Sequence, residues 1–254
     1  MATQNSARFT WHELMTTDAV AATKFFTSLF GWTVEQMDMG PAGVYRMFMK
    51  GDKPVGGAMQ APPGVPSHWL PYVGTADADA TAKKVADLGG KILQPPTDVP
   101  SKVRFAIGMD AQGAAFGVAK NTSANANDPL PDGPPVPGMF CWDELHTSDM
   151  DAAAKYYGAL FGWTGKMGDG PMPYWHWQHE GKEMGGMMKL MMPNVPPNWL
   201  GYIAESDVDG ATKRVRELGG KVVMEPMDIA KVGKFSVVQD PTGATFALFR
   251  SARV

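Results

Sequence analysis

The chain has one cysteine, Cys141, so no internal disulfide staples it and a reducing compartment fits. No run approaches the roughly 18 uninterrupted apolar residues of a membrane-spanning helix. The opening stretch, MATQNSARFTW, lacks the apolar centre of a signal peptide. Positive charge is not in excess, with 23 Lys and Arg against 26 Asp and Glu, and no basic stripe invites nucleic acid. The glycine-rich turns are not phosphate loops, because no GxGxxG or GxxxxGKS/T precedes a helix. These absences imply a cytoplasmic protein with no nucleic-acid and no membrane partner.

What is present is a duplication. FTWHELMTTDAVAATKFFTSLFGW (9–32) returns as FCWDELHTSDMDAAAKYYGALFGW (140–163). The later stretches 55–73, 77–92 and 105–120 return at 184–203, 207–222 and 235–250. Between the copies lies NTSANANDPLPDGPPVPG, a Pro-, Gly- and Asn-rich linker over 121–138. The domain boundaries follow as 7–120 and 139–252. Two copies of so long a unit are no solenoid.

Each copy reads as βαβββ twice. FTWHELMT alternates as a strand, with Phe9, Trp11, Glu13 and Met15 on one face and His12 and Leu14 on the other. Thr17 or Asp18 caps a helix that Gly31 stops. Asp77 or Asp79 opens a second helix, which LGG ends at 88–90. Helices among mostly antiparallel strands make the class α+β, with four modules in the chain.

The D-x6-F-F/Y-x2-LFGW pattern, the D-x10-LGG helix and the terminal D-P-x-G turn resemble the glyoxalase, bleomycin-resistance and extradiol-dioxygenase superfamily, also called vicinal oxygen chelate. The W-x-E-L and LFGW variants resemble its tandem, hydroxylase-like bacterial branch. The resemblance implies paired modules whose curved sheets enclose cup-shaped cavities. It also implies a divalent metal, with ligands at positions that here carry Trp11 and Trp142, Pro71 and Gly201, and Gly117 and Ala247. Indole nitrogen is a donor only, and none of the others ligates. The fold and cavity are therefore expected without a cofactor.

His12 stands one residue off the ligand position and points to the other face, where it reads as a surface or interface histidine. Glu13 and Glu144 are more informative, since each shares a face with a tryptophan. Each is either a buried carboxylate satisfied by a neighbouring Arg, Lys or backbone amide, with Arg104 and Lys234 as candidate partners, or a group that meets a ligand. The halves then diverge. Met15 in the first becomes His146 in the second, and Met47 becomes His176, while Tyr45 matches Tyr174. Either Tyr174, His176 and Gln178 face inward, or Trp175, Trp177 and His179 do. Glu144 and His146 are the candidate acid–base pair. Trp11, Glu13, Tyr45, Met47, Trp142, Tyr174, His176 and Phe235 are the candidate ligand contacts. A divalent metal on Glu144, His146 and His176 is the lesser alternative. The methionines of MGGMMKLMMP (184–193) suit packing and an adaptable apolar surface better than a soft metal.

Beside an assembly or interaction module without a ligand, two functions follow. One is a metal-free protein that binds an apolar or aromatic small molecule. The other is a lyase or a hydroxylase- or dioxygenase-like enzyme using Glu144 and His146. Four modules in one chain suit a monomer, and a homodimer stays open.

Overall fold

The computed structural model describes residues 7–121, 135–170, 172–191 and 194–252, so most of the expected linker and the end of the methionine stretch lie outside the described residues. The first half runs β1 (Phe9–Thr16), α1 (Ala19–Phe30), β2 (Thr33–Asp38), β3 (Val44–Lys50), β4 (Lys53–Gln60), then β5 (His68–Gly74), α2 (Ala78–Asp87), β6 (Lys91–Val99), β7 (Val103–Met109) and β8 (Ala115–Asn121). The second repeats it as β9 (Phe140–Thr147), α3 (Met150–Phe161), β10 (Thr164–Met167), β11 (Trp175–His179), β12 (Lys182–Lys189), β13 (Asn198–Ala204), α4 (Val208–Glu217), β14 (Lys221–Ile229), β15 (Gly233–Gln239) and β16 (Thr245–Ser251). The class is α+β, with four βαβββ modules.

Local chemistry sets the helix ends. Asp18, not Thr17, caps α1, accepting from the amides of Val20 and Ala21. Asp77, Asp149 and Asp207 cap the other three helices in the same way. Gly31 and Gly162 close α1 and α3 in the left-handed region at φ 68° and 73°, a conformation that costs a side chain-free residue little.

The strands form two eight-stranded sheets, β2-β3-β4-β1-β5-β8-β7-β6 and β10-β11-β12-β9-β13-β16-β15-β14. Within each module the outer hairpins are antiparallel and the first strand runs parallel to the last. Two compact units emerge. One comprises Met1–Thr10, Pro71–Asp132 and Trp142–Trp199, and the other Trp11–Leu70, Gly133–Cys141 and Leu200–Val254. The second and third modules thus share one core, and the first and fourth share the other. In the former, Phe116, Tyr157, Trp163, Trp177 and Trp199 pack together. In the latter, Phe26, Trp32, Phe48, Trp69 and Phe246 do so. Such aromatic payloads dominate burial energetics.

Three expectations are corrected or decided here. His12 is buried, stacked on Phe140 at 3.7 Å and 7°, because its face of β1 is the core face. Trp177 is wholly buried in the core, which leaves Tyr174 and His176 on the opposite side of their strand. In the methionine stretch Met184 and Met187 are core residues, whereas Met191 is exposed.

Candidate functional site

The site of the second half begins with alternation on β9, where Trp142, Glu144 and His146 share one face. Strand register brings β12 and β11 alongside, so that Gly186 stands next to Glu144 on one side and His176 on the other. Tyr174, just before β11, lays its ring across Gly186. A Cβ at that glycine would fall 1.8 Å from the Tyr174 hydroxyl. The bare glycine is the seat that lets the phenol reach β9.

A chain of hydrogen bonds results. Trp142 Nε1 donates to Tyr174 Oη at 2.9 Å. Tyr174 donates to Glu144 Oε2 at 2.8 Å. Glu144 Oε1 lies 2.7 Å from His146 Nε2. Glu144 is buried and the His146 side chain is 24% exposed. Burial pushes the Tyr174 phenol far above its ordinary range, helped by the Glu144 charge and hydrogen bond, so it stays a proton donor. His176 sits at the edge, its ring 5.1 Å from Tyr174 and 6.4 Å from Trp142. Its Nδ1 is 3.7 Å from Glu183.

The first half repeats the frame without the histidines. Trp11 Nε1 donates to Tyr45 Oη at 3.0 Å, and Tyr45 lies across Gly57, whose Cβ would meet its hydroxyl at 1.9 Å. Gly57 stands between Glu13 and Met47 in the register. Burial, then the Glu13 charge, raises the Tyr45 phenol. Met15 takes the place of His146.

The structure thus gathers Trp142, Glu144, His146, Tyr174 and His176 in one unit, and Trp11, Glu13, Tyr45 and Met47 in the other. Phe235 is buried on β15, its ring 6.3 Å from that of Tyr202. Arg104 and Lys234 do not serve Glu13 and Glu144. Register on the outer hairpins sets Arg104 opposite Asp98 and Lys234 opposite Asp228. Arg104 binds Asp79 at 2.6 Å and Asp98 at 2.8 Å, and Lys234 binds Asp209 at 2.8 Å. Sequence reasoning passed over Gly57 and Gly186 as seats, although the paired glycines at 56–57 and 185–186 were the signal.

The residues present do not fit the superfamily's metal. Trp142 and Trp11 spend their only polar hydrogens on tyrosines. Tyr72 lies across Gly117, where a Cβ would fall 2.2 Å from its ring. A Cβ on Gly201 would meet Phe140 at 2.8 Å. Among the described residues no three His, Cys, Asp or Glu side chains form a metal-holding group. No chemical step here is routed through a metal.

Paired βαβββ modules with this repeat define a class, and comparison bears it out. Residues 8–118 match the family model described as Glyoxalase/Bleomycin resistance protein/Dioxygenase superfamily, and residues 139–249 match the Glyoxalase-like domain. The chain belongs to this superfamily, as two such domains in tandem. It is 34% identical over 252 residues to a Mycobacterium tuberculosis protein named "Putative glyoxylase CFP32", covering 95% of this chain and 94% of that one. It is 32% identical over 257 residues to the anthracycline biosynthesis protein DauV of a Streptomyces species, covering 94% and 91%. Among solved structures, the Mn(II)-bound glyoxalase from Novosphingobium aromaticivorans superposes with a TM-score of 0.66 at 15% identity, over 97% of this chain and 82% of that one. A catechol 2,3-dioxygenase gives 0.64 at 14%, over 98% and 89%. At these identities the two structures speak for the fold alone. Among the described residues no helix is long and apolar enough to cross a membrane.

Proposed function

We propose that this protein binds an apolar or aromatic small molecule without the metal of its superfamily. The bond from Trp142 to Tyr174 at 2.9 Å carries the reading. A donor-only indole, tied to a phenol, stands where a metal ligand is expected. Trp142, Tyr174 and His176 offer ring faces and edges in the second half, and Trp11, Tyr45 and Met47 offer an apolar surface in the first. Relatives named for anthracycline biosynthesis support an aromatic ligand, since anthracyclines are fused-ring aromatics. The test is plasma mass spectrometry of the purified protein after incubation with zinc, iron and manganese, followed by titration of the metal-depleted protein with planar aromatics. Quenching of tryptophan fluorescence by the metal-depleted protein's ligands supports the reading. Near-stoichiometric metal that survives dialysis and leaves with His146→Ala would sink it.

A second reading is supported by the 2.7 Å contact of Glu144 with His146. A carboxylate that holds an imidazole is the arrangement of a general acid–base pair. Glu144 orients the ring, His146 takes or returns a proton, and burial excludes water from Glu144. The reaction would be of lyase or hydroxylase-like type. Glu144→Gln separates the two readings, because an enzyme loses turnover by about 100-fold or more while a binder keeps its affinity.

A further inference from the structure

We infer that Nδ1 of His146 is the recognition atom of the second half's site, and that the ligand it takes is an aromatic molecule carrying a free hydroxyl, a phenol. The inference rests on the proposed binding of aromatics and names their chemical class.

The direction of the protons decides the matter. Trp142 Nε1 has one hydrogen and accepts nothing, so its bond to Tyr174 fills an acceptor site of that oxygen. Tyr174 must then point its own hydrogen at Glu144 Oε2. A carboxylate offers only acceptors, so Glu144 Oε1 draws the hydrogen of His146 Nε2. In the neutral imidazole that leaves Nδ1 as a bare acceptor. Among the described residues Glu144 is the one hydrogen-bonding partner found for His146, and about a quarter of the side chain reaches the surface. The acceptor stands on the same strand face as Trp142, with the Tyr174 and His176 rings around that indole. A planar ring bearing an O–H meets both features, and a phenol is a stronger donor to imidazole than an aromatic amine. The first half carries Met15 at the matching place, beside Met59 as His146 is beside Met188. It has no such nitrogen, so the hydroxyl preference belongs to the second half.

Calorimetric titration with 1-naphthol and 1-methoxynaphthalene tests this on the full chain. The two share ring and size but differ in the O–H. The expected result is about tenfold tighter binding of 1-naphthol, one neutral hydrogen bond in a partly shielded site, and loss of that preference in His146→Leu. Equal affinity of the two ligands, or a preference that survives His146→Leu, overturns the inference and leaves aromatic binding standing. Binding of neither overturns both. An independent readout needs no variant: long-range proton–nitrogen NMR of the neutral imidazoles should place the His146 proton on Nε2. A proton on Nδ1 would overturn the inference whatever the affinities.

Discussion

Tyr157 donates its hydroxyl to Asp110 Oδ2 at 3.0 Å inside one unit, while accepting at 3.0 Å from Trp199 Nε1. The other unit builds the same corner with Phe26. Its ring meets Trp69 at 5.2 Å and 82°, as Tyr157 meets Trp199 at 5.4 Å and 83°. It stacks on Trp32 at 14°, as Tyr157 stacks on Trp163 at 16°. The hydroxyl alone is missing, and among the described residues the buried Trp69 Nε1 and Asp240 Oδ2 have no hydrogen-bond partner. Phe26→Tyr should stabilise the protein by about 1 kcal/mol by joining them, and Tyr157→Phe should cost about 1–3 kcal/mol by orphaning the matching pair. Denaturant midpoints of both variants check this.

Asp240 also makes stability depend on pH. Burial raises its carboxyl above the ordinary 3.8, against the opposing hydrogen bonds from Thr242, Ala244 and Gly243. A raised folded-state value means the contribution is fully present below the unfolded value and is lost as pH climbs through the folded one. Melting temperature measured upward from pH 4 should therefore show a falling component in the wild type that Asp240→Asn flattens. A wild-type curve parallel to that of the variant would refute the assignment.

Tyrosines give the alkaline counterpart. Burial raises Tyr45, Tyr156, Tyr157 and Tyr174 above their ordinary value of 10.0. Raised phenols contribute stability fully below the unfolded value and lose it as pH climbs through the folded one. Absorbance titration should show no more than two of the six tyrosines ionising before the protein unfolds. Early ionisation of a third would contradict the burial of these four phenols.

Gly186 should tolerate no side chain. A methyl there would lie 1.8 Å from the Tyr174 hydroxyl and push the ring off Glu144. Gly186→Ala is expected to cost about 1–3 kcal/mol by overpacking and to change the near-ultraviolet circular dichroism of the Trp142–Tyr174 pair. An unchanged spectrum would mean that the tyrosine has another way to reach the carboxylate.

Much of the fold was legible because its signals are local. Asp18 and Gly31 mark the ends of α1 within a few residues of the bonds they make, and alternation alone put Glu144 and His146 on one face of β9. Arg104 and Lys234 were misread for the opposite reason. Their partners Asp98 and Asp228 face them through hairpin register, and Asp79 and Asp209 come from helices 25 residues away.

By itself, then, the sequence determined the duplication, the four βαβββ modules, and the caps and stops of the helices. Each is written in residue type and short spacing. Only the tertiary structure decided that the second module shares its core with the third, that Tyr174 reaches Glu144 over a bare glycine, and that Phe26 leaves two buried polar atoms unjoined. Those relations span 30 residues or more and depend on which strand lies beside which. No periodicity along the chain records that, because burial and hydrogen bonding reward closeness in space regardless of distance in sequence.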